Sequence, residues 1–269
     1  MTATALTVAG SDPSGGAGIQ ADLKTFGALG VYGTAVLTAL TAQSTRGVTG
    51  IHPVPAAFVG EQLRTLLDDV EVHATKTGML GTADVVREVA GVLAGRRAGP
   101  VVCDPVMVAT SGDRLIDDAA VEAVRDELLP VSDLITPNVP EAAVLLGTAP
   151  ATDADDLPDQ ARALLDLGPR AVLLKGGHLG GAESIDVLAT RDGVTVTRRP
   201  RVQTTATHGT GCTLSSALAA LAARGGGSDW PAVLERARDY LQATLLGGRA
   251  LRIGHGAGPV HHFAEVWPA

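Results

Sequence analysis

The chain has 269 residues, 45% of them hydrophobic but only 3% aromatic, so its core has to be assembled from Ala, Val, Leu and Ile. A formal charge of −8 argues against a nonspecific grip on nucleic acid or on an anionic membrane, and no Lys/Arg block overrides that average. Two cysteines, Cys103 and Cys212, exclude a disulfide scaffold, and the adjacent His261-His262 pair lacks metal-ligand spacing. The first residues show no basic-then-apolar leader, and no uncharged run reaches transmembrane length. A soluble, cytoplasmic protein is expected.

In chain order, Ala5–Ala9 reads as a short buried strand and Ala21–Leu29 as a helix. The strands Ala35–Leu40, Ala74–Thr77 and Val101–Cys103 precede the helical stretches Ala56–Leu67, Ala83–Leu93 and Asp118–Leu129. Leu134–Thr136 leads into the helix Glu141–Leu146, and the helix Leu157–Leu167 leads into the strand Ala171–Lys175. Ile185–Ala189 and Val194–Arg198, joined across Arg191-Asp192-Gly193, read as an antiparallel hairpin with an Asp-Gly turn. Two helices follow, Thr213–Ala223 and Pro231–Ala250, separated by the short connection Arg224-Gly225-Gly226-Gly227-Ser228. Such alternation implies βαβ units, a mostly parallel sheet covered on both faces, and one α/β domain over residues 1–269.

Ligands of open parallel sheets sit beyond the carboxyl ends of the strands. The unusual polar residues of this chain follow strands: Gly10 to Gly18, Gln43-Ser44, Thr77-Gly78-Met79, Asp104-Pro105-Val106, Pro137 to Glu141, and Lys175-Gly176-Gly177-His178. A further turn, Thr207-His208-Gly209-Thr210-Gly211-Cys212-Thr213, opens an Ala- and Leu-rich helix. Its glycines allow close backbone approach, and the free N–H groups and dipole of the helix start suit a phosphate. The same field should favour the thiolate of Cys212.

Each of these signals has a plainer reading. A glycine turn before a helix is often only a cap. Asn138 and Glu141, spaced as N-cap and third helical residue, either cap the helix or supply amide and carboxylate oxygens to hydrated Mg²⁺. Asp104 is a turn residue before Pro105 or a second carboxylate for that ion. Lys175 snorkels out of the sheet or neutralises nucleotide phosphates. Gln43 bonds backbone or the ring atoms of a ligand; Met79 fills core or forms a pocket wall. Gly16-Ala17-Gly18-Ile19-Gln20-Ala21 matches a loose dinucleotide pattern but lacks the acidic residue about 20 positions on, and no Walker P-loop occurs.

Six segments in order carry a resemblance: Ala9 through Thr25, Thr77-Gly78-Met79-Leu80, Thr136-Pro137-Asn138, Lys175-Gly176-Gly177-His178, His208 through Ser215, and Gly258 through Phe263. Over nearly its whole length the chain resembles the bacterial hydroxymethylpyrimidine and phosphomethylpyrimidine kinases of thiamine biosynthesis. The resemblance implies a ribokinase-like three-layer αβα sandwich without a large lid, and commonly a homodimer. It implies ATP-dependent phosphorylation of hydroxymethylpyrimidine to the monophosphate and then the diphosphate. ATP and Mg²⁺ are the implied cofactors, with a monovalent cation as an additional candidate.

Carried over by position, Gln43 matches the group that binds the aminopyrimidine, and Gly10, Ala17, Met79 and Val106 match the walls around it. Asp104, Asn138 and Glu141 match the magnesium-water region, and Lys175 the nucleotide phosphates. Gly209, Thr210 and Gly211 match the anion hole, with Cys212 where sugar kinases place a catalytic aspartate. The competing readings are a pyridoxal or pyridoxine kinase on the same scaffold and a noncatalytic nucleotide-binding module. The segment Gly254 to Phe263 is expected to pack over the nucleotide side.

Overall fold

A computed structural model describes residues 2–96, 98–107, 116–177, 179–225 and 229–267. His178 of the Lys175 motif and residues 226–228 of the glycine connection lie outside the described residues. The chain begins with β1 (Thr4–Ala9), α1 (Gly18–Ala28) and β2 (Tyr32–Leu37), then β3 (Ala39–Ser44), β4 (Gly47–Pro53) and α2 (Ala56–Asp69). Next come β5 (Ala74–Thr77), α3 (Ala83–Gly95), β6 (Val101–Cys103), α4 (Asp118–Ala123), β7 (Leu134–Ile135) and α5 (Val139–Leu146). α6 (Leu157–Leu165), β8 (Ala171–Lys175), β9 (Glu183–Thr190), β10 (Gly193–Pro200), α7 (Thr210–Gly225) and α8 (Trp230–Gly248) complete the order.

Eight strands form one sheet in the order β10-β9-β8-β7-β6-β5-β1-β2, parallel except where β9 pairs with β8 and β10. Side chains alternate across it, as a pleated strand requires. Leu6, Val8, Val101, Val172 and Leu174 pack with α2, α3, α5 and α6. Ala5, Ala74, Val102, Leu173 and Leu188 pack under α7, α8 and Phe26 of α1. Two helical layers thus cover a sheet built almost without aromatic residues, and small strand residues on the α7 face let that long, fully packed helix lie close. The result is the αβα sandwich expected. No helix among the described residues is long and apolar enough to cross a membrane.

Three expectations change. The strand predicted at Ala35–Leu40 is broken at Thr38, whose hydroxyl donates to the Met79 carbonyl at 2.7 Å. Beyond the break, β3 leaves the sheet and pairs antiparallel with β4, a two-stranded flap that the sequence reading did not contain. Gln43 therefore stands within a strand, at a bulge between Ala42 and Gln43, instead of following one. The helix predicted to run to Leu129 ends its α-form at Ala123 and continues as a π turn, Val124–Leu128, and a 3-10 turn containing Pro130, which has no N–H to donate.

The packing yields a stability test. Leu63 on α2 is fully buried, so Leu63→Ala should cost about 2–5 kcal/mol. Val144→Ala, at a half-exposed position of α5, should change stability by less than about 0.5 kcal/mol. Urea unfolding of both variants checks the difference.

Candidate active site

The carboxyl ends of β1, β5, β6 and β8, the flap and the start of α7 enclose a cleft of about 590 Å³. Gly10, Ala17, Gln43, Met79, Asp104, Val106, Asn138, Glu141, Lys175, Gly209, Thr210, Gly211 and Cys212 all line it. The structure thus brings together every site residue singled out from the sequence.

The loop after β1 is wound around one carboxylate. Asp12 accepts hydrogen bonds from the Ser14 N–H (2.9 Å), the Ser14 hydroxyl (2.7 Å), the Gly16 N–H (3.2 Å) and the Ala17 N–H (2.8 Å). Its Oδ2 also lies 2.7 Å from His208 Nε2. Burial alone would raise this carboxyl, but the His208, Ser14 and Ala17 bonds outweigh it and hold its pKa at about 2. His208 is the residue before Gly209, so the same contact ties the loop to the start of α7. Gly209 has φ +80°, and a Cβ there would stand 1.7 Å from the Gly16 carbonyl oxygen. The two glycine turns are in backbone contact, and only glycine fits.

At the first turn of α7 the Thr213 N–H reaches the Gly209 carbonyl at 2.8 Å, while Gly211 and Cys212 have no preceding helical carbonyl to bond. Both residues line the cleft. The expected Cys212 thiolate is corrected: burial pushes the thiol up to about 11, against the pull of Lys76 and the Gly18 N–H. Desolvation outweighs the helix field, and the resting sulfur is a neutral thiol.

Beside the start of α7, buried Asp104 meets Lys175 Nζ at 2.9 Å, the Thr136 hydroxyl at 3.1 Å and the Ser215 hydroxyl at 3.2 Å. Burial opposes its ionisation, but Lys175 and Lys76 keep its pKa below the ordinary carboxylate value. Asn138 and Glu141 form a reciprocal capping box: the Glu141 N–H donates to Asn138 Oδ1 at 2.9 Å and the Asn138 N–H to Glu141 Oε2 at 2.8 Å. The plain reading of that pair is therefore correct as geometry, yet both residues also face the cleft. Burial, with the Asp104 charge adding to it, lifts the Glu141 carboxyl to about 7 against the pull of Lys175. Among the described residues no group of three or more His, Cys, Asp or Glu side chains could hold a metal directly.

The flap supplies one wall. Thr41 is fixed to the β1 loop through its N–H to Ser11 Oγ (3.1 Å) and its hydroxyl to the Ser11 carbonyl (2.8 Å). Gln43 Oε1 lies 3.3 Å from the Thr41 hydroxyl. Met79 Cε fills the space that a side chain at position 10 would need, 2.4 Å from an ideal Cβ. The other arm of the cleft is lined by Val202, Thr207, Leu241 and Leu245, beside the buried Asp186–Arg238 ion pair. Sequence reasoning missed Lys76, Thr41, Val48, Asp186 and Arg238 as lining residues, and saw Asp12 and His208 only inside longer motifs.

Residues 254–262 pack against the flap and the start of α7. The Thr45 hydroxyl, at the tip of the flap, accepts the His255 and Gly256 N–H groups at 3.2 and 3.1 Å. Further on, Gly258 and Val260 bracket His208 by backbone bonds of 3.0 and 3.4 Å, and His262 Nε2 lies 3.1 Å from the Thr213 hydroxyl. Gly258 and Gly256 have no side chain to advertise this, so the sequence carried little sign of it.

A family model described as phosphomethylpyrimidine kinase matches residues 12–261. The chain is 50% identical over 263 residues to a hydroxymethylpyrimidine/phosphomethylpyrimidine kinase of Escherichia coli, covering 98% of each. It is 51% identical over 260 residues, 96% of this chain, to 35% of a thiamine biosynthesis multifunctional protein of Corynebacterium efficiens. Among solved structures, an ADP complex of Bacillus subtilis pyridoxal kinase superposes with a TM-score of 0.90 at 33% identity, covering 98% of this chain and 99% of the other.

Because the Asp12 pKa is lowered, its stabilising effect is complete above the ordinary carboxylate value of about 4 and is lost as pH falls through about 2. Asp12→Asn should therefore lower the melting temperature at neutral pH, and the gap to the parent should close below about pH 3. A gap that persists unchanged in acid would refute the assignment.

Proposed function

The chain belongs to the phosphomethylpyrimidine kinase family, and we propose how its cleft carries out the two transfers of that family. ATP phosphorylates the hydroxymethyl oxygen of hydroxymethylpyrimidine, and a second ATP then phosphorylates the phosphate just installed, giving the diphosphate used in thiamine biosynthesis. One observation carries the division of labour: a single cleft is lined by Gln43 and Met79, by the first turn of α7 with Cys212, and by the Lys175 ammonium, 3.5 Å from an ideal Cβ at Gly211. Gln43 bonds the aminopyrimidine, and Gly10, Ala17, Met79 and Val106 form its slot. Lys175 and Asn138 meet the nucleotide phosphates, and the apolar arm with Val202 and Leu241 takes the base. The N–H groups after Gly209 receive the charge that spreads over the transferred phosphoryl oxygens.

The carboxylates fit a hydrated magnesium ion. Glu141 stands near neutrality because it is buried beside Asp104, the condition of a carboxylate pair that a dication would relieve. Asp104 and Glu141 would hold the ion through its waters, and when bound it would neutralise phosphate charge.

The neutral Cys212 thiol suits the second transfer. A fixed aspartate there would repel the incoming phosphate by about 4 kcal/mol at 4 Å with an effective dielectric near 20. In the first transfer the acceptor is an alcohol, and Cys212 faces its proton. We place the protein in the cytoplasm as one domain over residues 1–269, and as a homodimer through the open β2 edge, where Tyr32 is 65% and Phe58 53% exposed. Sedimentation at twice 27.2 kDa is expected; the mass of a single chain would refute the dimer.

A second reading, pyridoxal kinase, draws on the likeness to the Bacillus subtilis enzyme, because pyridoxal also presents a CH₂OH on a flat ring. Incubation with Mg-ATP and either alcohol, read by mass spectrometry, separates the two: a pyrimidine diphosphate supports the first, phosphorylated pyridoxal alone the second. Cys212→Asp should damage the second pyrimidine transfer more than the first, and equal loss of both would refute this role for the thiol. A Glu141 carboxyl titrating near 7 is part-protonated at neutral pH. Mg-ATP binding should then expel a proton, seen as buffer-dependent heat, and Glu141→Gln should remove that component.

A further inference from the structure

Lys76, on β5, lines the cleft, yet none of the steps above uses it. Its side chain is 0% exposed, and its ammonium bonds both Asp22 oxygens, at 2.9 and 2.8 Å. Asp22 is equally buried and accepts the Thr7 and Ser216 hydroxyls at 2.6 Å each. Ser216 stands four residues after Cys212, so the two side chains share one stripe of α7, about 6 Å apart along the axis. Ser216 and Lys76 meet on the same Asp22 oxygen, which puts the ammonium beneath the first turn of α7. Gly78 leaves the room for it: a Cβ there would lie 2.8 Å from Lys76 Nζ.

A buried ion pair is a poor device for holding a core together, since apolar replacements are often neutral or stabilising. Placed at the floor of a catalytic cleft, it points to electrostatics. We propose that Lys76 is a positioning residue for the first transfer: its ammonium, braced by Asp22, is the countercharge that lets the Cys212 sulfur act as base toward the acceptor alcohol. The resting thiol, partly exposed, first gives its proton to solvent; the hydroxymethyl O–H bond then breaks and its proton moves to the thiolate so formed. The freed oxygen bonds the γ-phosphorus, and the bridging P–O bond breaks with its electrons leaving on ADP. The phosphate acceptor of the second transfer is already anionic, so Lys76 has no proton transfer to support there.

The charged groups facing Cys212 are Lys76 of β5, Asp22 of α1, Asp104 beyond β6 and Lys175 of β8. Lys76 draws the thiol pKa down, whereas Asp22 and Asp104 push it up. Removing either member of the buried pair should thus move Cys212 in opposite directions. The inference rests on Cys212 facing the acceptor hydroxyl, and the test reads the Lys76 field separately, with no substrate present.

Ligand-free full-length protein is alkylated with iodoacetamide from neutral pH to about pH 10, and the Cys212 adduct is followed by peptide mass spectrometry; thiolate is the reactive form. Buried Cys103, pushed up to about 12, serves as the unreactive internal control. Asp22→Asn should speed the reaction at fixed pH and Lys76→Met should slow it, each ~threefold or more, since thiolate fraction changes about tenfold per pKa unit. A purely structural pair would loosen the site in both variants and speed both. Should Lys76→Met fail to fold, Asp22→Asn is compared with Asp22→Glu, which disturbs the packing but keeps the charge: faster alkylation in Asp22→Asn alone supports the proposal, and equal speeding of both, or no change, overturns it. Lys76→Met should also lose the alcohol transfer ~tenfold more than the phosphate transfer, at 1.4 kcal/mol per tenfold. Equal loss of both, with the alkylation shifts intact, overturns the role of Cys212 as base and not the Lys76 field.

Discussion

The site depends on one carboxylate. Asp12 and His208 are 196 residues apart in sequence, and their contact is what brings the loop after β1 against the start of α7. Before that contact forms, the first turn offers a set of backbone N–H groups with nothing to converge on, and the second is a helix end facing solvent. Once Asp12 gathers four N–H or O–H donors of its own loop and the His208 ring, the Gly16 carbonyl is pressed onto Gly209 and the start of α7 is fixed against the loop. Such a cage is rigid because every acceptor site of the carboxylate is occupied, and rigidity is what a phosphoryl-transfer site needs.

Charge is distributed in the cleft so that each group constrains the next. Lys175 and Lys76 keep Asp104 ionised; Asp104 in turn helps hold Glu141 near neutrality. Cys212, mostly buried, is left as a thiol between two lysines and two carboxylates. The net effect is a site with positive charge below and beside the reacting centre but no fixed negative charge at the acceptor. That arrangement distinguishes a cleft that must accept both an alcohol and a phosphate from one that phosphorylates alcohols alone.

Much of this was legible in the chain. The strands Val101–Cys103 and Ala171–Lys175 are short, mainly apolar runs, and they and Ala74–Thr77 appear at the expected bounds. The polar residues that follow them converge because a parallel sheet puts all such ends on one side. What was not legible depended on tertiary context. Thr38 ends β2 by donating to a carbonyl 41 residues away, which no local pattern announces, and the flap that carries Gln43 follows from that break. The neutral Cys212 thiol follows from burial, which a helix-end argument made from sequence omits. Lys76 read as an ordinary strand residue in Ala-Thr-Lys-Thr, since its partner Asp22 lies 54 residues earlier. The Asn138–Glu141 spacing was read in two ways, and the capping geometry is one of them without excluding the cleft-facing role.

The segment that joins Thr45 to His208 also sets an order of events in the life of the chain. The sheet and the layer of α2, α3, α5 and α6 are made from residues ahead of α7, whereas the other layer waits for α7 and α8. The first turn of α7 is completed last. Its backing is made by Gly258, Val260 and His262, and the same stretch reaches the tip of the flap. A nascent chain that has released all its strands from the ribosome therefore holds the sheet and one helical layer, with the cleft still open on the α7 side. The last wall to form is the one that residues 254–262 brace.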